Sequence, residues 1–92
     1  MKDSQRFRLS SEFKIEKFDN EILLYAISSA RGIYLNQTAY LVWELCAQNH
    51  SIAEIIAFLQ ETYPQQKEYI REDVITSIES LVETEAIIID NG

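Results

Sequence analysis

Glycine, proline, cysteine and histidine are all scarce in this chain, and each scarcity excludes a class of chemistry. The 92 residues contain two glycines, one proline, one cysteine and one histidine. The glycines, Gly32 and Gly92, are too few and too far apart for a glycine-rich phosphate loop. The single cysteine, Cys46, excludes an internal disulfide and a multi-cysteine metal site, and it suits a reducing cytoplasm. His50 lies in a short polar loop without a second ligand nearby, which indicates a solvated side chain.

Long apolar runs and an excess of basic residues are missing as well. No run approaches the roughly 20 apolar residues that a membrane helix requires, and no signal-peptide pattern is present. Fifteen acidic and eight basic residues give a net charge of −7, which disfavours nucleic acid or an anionic membrane as the main partner. We expect one small cytoplasmic domain that covers residues 1–92.

The sequence also lacks a pattern typical of a catalytic or cofactor site. The serine pairs at 10–11 and 28–29 have no nucleophile-elbow context and are typical of turns. The carboxylates fall at positions predicted for helix surfaces and turns, where charged side chains are usually solvated. We therefore expect a protein that is not an enzyme by itself and that uses neither a metal nor a cofactor.

The first half of the chain alternates with the period of two that is typical of β-strands. Strands are predicted over Phe13–Phe18, Glu21–Ala26 and residues 33–35, with turns at 19–20 and 28–32 between them. Strands joined this closely should form an antiparallel meander. Phe7 and Leu9 indicate a further short strand at the start.

The second half has helical spacing. Helix one is predicted over about residues 37–46, with Asn36 as its N-cap and Trp43 packed in the core. Helix two begins after Ser51, which forms a capping box with Glu54, and it is closed by Pro64. Helix three covers about residues 68–84. The predicted fold is α+β and winged helix-turn-helix-like: a three-stranded antiparallel sheet, covered on one face by three following helices. The apolar run at 87–89 should pair as a strand or pack on the sheet.

A winged-helix shape raises the alternative of a DNA-binding regulator, and the charge of helix three argues against it. The segment from Glu68 to Glu85 carries six acidic residues and one arginine, a formal charge of −5. DNA-reading helices carry basic and amide side chains instead. Such a segment would be repelled by phosphates.

Helix three has a wider apolar sector than packing on one sheet requires. Ile70, Val74, Ile78 and Leu81 fall within about 80° on a helical wheel, and Ile75 and Val82 lie a further 40–60° round. In one interpretation Ile75 and Val82 complete the core. In the other interpretation, Ile75 and Val82 form the floor of a groove between helix three and the third strand, where an extended peptide pairs with that strand. An open strand edge also allows a strand-swapped dimer instead of a monomer.

Specific motifs connect the chain to a known family. The pattern that carries the resemblance is NEILLY at 20–25, GIYLNQTA at 32–39 and VWEL at 42–45. With the order of apolar residues downstream, it resembles the PqqD family over about residues 7–89. The resemblance implies a winged-helix-like RiPP recognition element, a domain that binds the leader segment of a ribosomally synthesised precursor peptide. Members present that leader to a modifying enzyme, such as a radical SAM protein, a cyclase or a protease.

The same resemblance implies where the peptide binds. In the family the leader lies antiparallel to the third strand, in the groove beside helix three. Carried onto this chain, the strand positions are Arg31, Gly32, Ile33, Tyr34 and Leu35. The helix positions chosen from the wheel are Ile75, Ile78, Glu79 and Val82. Tyr34 points to the opposite face from its two apolar neighbours, and the sequence leaves open whether that face is core or groove.

Overall fold

The computed structural model describes residues 2–90, which form five strands and three α-helices. A single 3₁₀ turn at Pro64–Gln66 precedes the last helix. The elements are β1 (Arg6–Leu9), β2 (Phe13–Phe18), β3 (Glu21–Ala26), β4 (Gly32–Leu35), α1 (Gln37–Ala47), α2 (Ile52–Thr62), α3 (Lys67–Glu83) and β5 (Ile87–Asp90). The third predicted strand is therefore β4, and the predicted fold class is confirmed.

Strands β2, β3 and β4 form the predicted antiparallel meander, with β3 in the centre. Leu24 of β3 lies opposite Ile15 of β2 and Ile33 of β4. These residues face the helices together, because side chains on one sheet face recur at every second position. The order leaves β2 and β4 as the two edges of the sheet.

The first and last strands form a separate two-stranded antiparallel sheet. Phe7 of β1 lies opposite Ile89 of β5, and Leu9 lies opposite Ile87. This confirms the leading strand and shows that the terminal apolar run pairs with β1 rather than joining the meander. Phe7 and Ile87 are each 1% exposed, so the ribbon closes one side of the core.

The helices begin where the local sequence predicts. The Asn36 side chain accepts a hydrogen bond from the Ala39 N–H at 2.8 Å. Ser51 and Glu54 form the reciprocal capping box, with bonds of 3.2 Å and 2.8 Å. Each cap satisfies backbone donors that have no partner inside the helix.

The core lies between the three helices and the inner faces of both sheets. The inner stripe of α3 is at most 2% exposed, and it consists of Ile70, Val74, Ile78 and Leu81. Trp43 is partly buried at the margin of this core rather than in its centre. Its ring stacks on Tyr40 with centroids 6.3 Å apart. The buried Trp43 Nε1–H has no hydrogen-bond partner among the described residues.

Helices α1 and α3 end with the same backbone geometry. Asn49 after α1 and Glu85 after α3 both have left-handed backbones, with φ of 65° and 70°. The following N–H groups reach back to the helices, His50 to the Leu45 carbonyl at 3.1 Å and Ala86 to the Leu81 carbonyl at 2.9 Å. This is the Schellman arrangement of a helix C-terminus.

Candidate functional site

The open edge of β4 is the first component of the candidate site. The Ala26 N–H donates to the Arg31 carbonyl at 2.9 Å, which fixes the phase of the β3–β4 ladder. Because hydrogen bonding alternates along an antiparallel strand, Ile33 and Leu35 bond to β3. Gly32 and Tyr34 therefore direct their N–H and C=O groups away from the sheet. The edge offers two donors and two acceptors to an added strand.

The two edges of the meander differ in charge. β2 carries Lys14, Glu16 and Lys17, whereas β4 has no charged residue. Charged side chains on an edge strand oppose pairing with another chain. The uncharged β4 edge is therefore the more receptive one.

A groove runs beside this edge, between β4 and α3. One end is a depression of about 490 Å³, which is lined by Ala30, Arg31, Gly32 and Ile33 together with Ser80, Glu83 and Thr84. The other end, of about 190 Å³, lies just beyond β4, between the start of α1 and α3, and is lined by Asn36, Thr38, Glu72, Asp73, Thr76 and Ser77. The strand and the helix thus lie side by side in opposite directions. We call this surface the β4–α3 groove.

The helix wall of the groove is polar. Its side chains are hydroxyls and carboxylates, and Ile33 supplies apolar surface from the strand side. The helix positions chosen from the wheel do not line these two depressions. Ile78 is fully buried in the core, and Ile75 and Val82 pack against the core, as the first of the two interpretations holds.

The neighbours of Ile75, Glu79 and Val82 show which flank of α3 they occupy. Ile75 and Glu79 line a separate depression, divided from the groove by Glu72 and Thr76, which line both. Val82 lines an apolar cavity of about 330 Å³ formed with β5. The cavity beside Val82 borders the groove at Arg31, which lines both, whereas the depression beside Ile75 is separated from β4 by the polar side of α3.

The predicted strand positions are brought together at the groove and its edge. Arg31, Gly32 and Ile33 line the groove. Leu35 is 8% exposed and packs inward, whereas Tyr34 is 64% exposed on the outer face of the sheet. A side chain at Gly32 would lie 3.3 Å from the Leu24 carbonyl oxygen, so glycine keeps this part of the strand uncrowded.

An ion pair closes one end of the groove. Arg31 Nη1 lies 3.1 Å from Glu85 Oε1, and the left-handed backbone of Glu85 brings that carboxylate to the C-terminal end of α3. Arg31 lines both the groove and the neighbouring apolar cavity. It therefore forms the wall between the two.

The part of the chain that the structure describes offers neither a metal-binding cluster nor a helix suited to a membrane. Between residues 2 and 90, no group of three or more histidine, cysteine, aspartate or glutamate side chains is arranged to hold a metal ion. None of the helices described there has the length and apolar character needed to cross a bilayer.

Burial raises the pKa of the Cys46 thiol to about 12.

Two solved structures resemble this fold closely. One is lasso peptide synthetase B1 complexed with the leader peptide, which is 26% identical with a TM-score of 0.76 and covers 90% of this chain and 98% of that one. The other is TbiB1 in complex with the TbiA(beta) leader peptide, 15% identical with a TM-score of 0.71 over 92% and 96% of the two chains. The second shows a shared fold alone.

The family assignment comes from sequence. No curated protein matches the chain significantly. The family model for coenzyme PQQ synthesis protein D (PqqD) matches residues 21–87, a span that runs from β3 to the start of β5. Because that match covers most of the chain, the protein belongs to the PqqD family.

Proposed function

We propose that this protein is a non-catalytic peptide chaperone, which binds the leader segment of a ribosomally synthesised precursor peptide and presents it to a modifying enzyme. The observation that carries the proposal is the uncharged, open edge of β4 beside a groove. Membership of the PqqD family and the likeness to a synthetase complexed with its leader peptide support it.

The peptide would add a fourth strand to the meander. Its backbone would exchange hydrogen bonds with Gly32 and Tyr34, while its side chains alternate between the β4–α3 groove and the outer face beside Tyr34. Backbone pairing provides affinity for many sequences, and the groove provides selection among them. A dissociation constant near 1 μM, about −8 kcal/mol, is reasonable for this mode of binding.

The modifying enzyme is the second partner of this proposal. A radical SAM protein, a cyclase or a protease would act on the core segment that follows the bound leader. The chaperone itself would position the peptide and would not catalyse its modification, because the groove contains carboxylates and hydroxyls without an oriented base or nucleophile.

Amide-resolved NMR with the precursor peptide encoded beside the gene tests this proposal. Hydrogen exchange should slow at the Gly32 and Tyr34 amides when the peptide binds, since these point to the open edge. The Ile33 and Leu35 amides already bond to β3 and should change little. Unchanged exchange at both Gly32 and Tyr34 in the presence of saturating peptide would overturn strand addition.

A proline substitution separates backbone pairing from side-chain contact. Tyr34→Pro removes the outward N–H, and proline is tolerated on an edge strand whose N–H faces solvent. Tyr34→Ala is the matched control, because it removes the ring and keeps the N–H. We expect at least tenfold weaker peptide binding for Tyr34→Pro than for Tyr34→Ala, with both variants retaining the wild-type circular dichroism spectrum. Equal binding by the two variants would contradict the proposal.

A further inference from the structure

We propose that the β4–α3 groove selects a basic peptide, one that directs two lysine or arginine side chains, four residues apart, toward α3. This inference rests on the function proposed above, since it concerns which peptides add to β4. It follows from the charges of the groove and from their spacing.

The groove carries carboxylates that lack cationic partners. Glu72 and Asp73 line one end and Glu83 lines the other. None of the three forms an ion pair with any residue between 2 and 90, where the ion pairs of the arginines join Arg6 to Glu54, Arg31 to Glu85, and Arg71 to Asp3.

The basic side chain that borders the groove does not neutralise these carboxylates. Among the described lining residues Arg31 alone is basic, and its guanidinium is held by Glu85 at 3.1 Å. A concave surface lined by charges of one sign concentrates the field and attracts the opposite charge. Cationic side chains on a bound peptide would complete the site electrostatically.

Helix geometry sets the distance between the two charged ends. Asp73 and Glu83 are ten residues apart, which corresponds to about 15 Å along the axis of α3. Side chains on one face of an extended peptide recur every second residue, at about 3.3 Å per residue. Four residues cover about 13 Å and six cover about 20 Å, so a separation of four fits best. The long, flexible stems of lysine and arginine bridge the remaining difference.

The direction of the peptide fixes which cation meets which carboxylate. β4 and α3 run in opposite directions, so a peptide antiparallel to β4 runs in the same direction as α3. The first cation would then face Asp73 and the second would face Glu83. The groove-facing residue between them would lie near the hydroxyls of Thr76, Ser77 and Ser80, where a small polar side chain fits.

Selection from a library of random dodecapeptides by messenger-RNA display tests this inference and does not require the leader sequence. Three immobilised proteins are compared: the wild type, Asp73→Asn/Glu83→Gln, and Glu68→Gln/Glu79→Gln. The last is the matched control, because it removes the same number of carboxylates from the flank of α3 outside the groove.

The wild type and the control should both enrich peptides with lysine or arginine at positions four apart, and Asp73→Asn/Glu83→Gln should lose this bias. The peptides selected on the wild type should bind Asp73→Asn/Glu83→Gln at least tenfold more weakly than the control. Charge reversal checks the direction: Asp73→Lys should be rescued by glutamate at the first cationic position of the peptide and not at the second.

The outcomes distinguish this inference from the function on which it rests. Selected peptides that protect the Gly32 and Tyr34 amides without a basic bias, or that lose affinity equally in both double variants, would overturn the inference and leave strand addition standing. If no selected peptide and no precursor peptide protects those amides, the proposed function fails as well.

Discussion

Cys46 illustrates how burial changes the chemistry of a single residue. Its side chain is 1% exposed among apolar neighbours, and this burial raises the thiol pKa from 9.0 to about 12. The sign of the linkage follows: the contribution of this thiol to stability is complete below pH 9 and is lost as the pH rises toward 12. Near pH 9 the thiolate, which is the form that reacts, is therefore rare in the folded protein.

Alkylation should therefore report global unfolding. At pH 8.5 we expect iodoacetamide to modify native Cys46 at least a hundredfold more slowly than the urea-unfolded chain, as measured by mass spectrometry. His50→Cys in a Cys46→Ala background is the matched control, because position 50 is 42% exposed in its side chain and should react at the rate of a free thiol. Fast native labelling of Cys46 would contradict the described burial.

Individual residues also show where sequence patterns stop being informative. Alternation correctly placed Tyr34 opposite Ile33 and Leu35, but it did not say which face the helices cover. Ile75 and Val82 show the same limit on α3. A helical wheel gives relative angles within one helix, whereas the flank that faces β4 depends on how the helix packs against other elements. The sequence shows that the acidic residues of the groove are charged, but that they line a groove follows only from this packing.

The left-handed backbone that follows α1 and α3 is adopted by two residues that differ in how well they tolerate it. Asparagine tolerates the left-handed conformation at position 49, whereas a glutamate is unfavourable at position 85. Glu85 instead contributes its carboxylate to Arg31 at 3.1 Å. Glu85 thus pairs with Arg31 at the end of the groove although its left-handed backbone is unfavourable for glutamate.

Glu85→Gly should consequently stabilise the protein. We expect the free energy of unfolding in urea to rise by about 0.5–1 kcal/mol. Relief of the left-handed strain, about 1–2 kcal/mol, exceeds the cost of the flexibility that glycine adds to the unfolded chain, and an exposed ion pair contributes little. Asn49→Gly is the control at the equivalent position and should change stability much less. A destabilised Glu85→Gly variant would show that the Arg31 contact outweighs the strain.

Whole elements were predicted with varying success, for a physical reason. The caps at Asn36 and Ser51 and the closely joined strands depend on residues near one another in sequence, and their predictions are confirmed. The pairing of β1 with β5 joins segments at opposite ends of the chain. No local signal specifies such a partner, because it is chosen by the shape of the core that both strands close.

For the molecule as a whole, an empty edge strand is also a template for self-association. A second copy can pair its β4 with the first in an isologous contact, although the net charge of −7 opposes this. If a peptide adds to β4 as proposed, self-association and peptide binding would compete for the same strand edge.

We expect the peptide-free protein to form a weak dimer at submillimolar concentration, more so at high salt, where the repulsion is screened. Sedimentation equilibrium should show that Tyr34→Pro or saturating precursor peptide restores the monomer, whereas Tyr34→Ala does not. A dimer that persists in Tyr34→Pro would place the contact on another surface.

The β1–β5 ribbon has a consequence for how the domain can be attached to other proteins. Arg6 lies opposite Asp90, so a tether fused before the first strand and one fused after the last would leave from the same spot. A protein fused through either tether would therefore lie at a similar distance from β4. Under the proposed function, the order of the two proteins in such a fusion would matter little, and linker length would set which segment of the bound peptide reaches the fused enzyme.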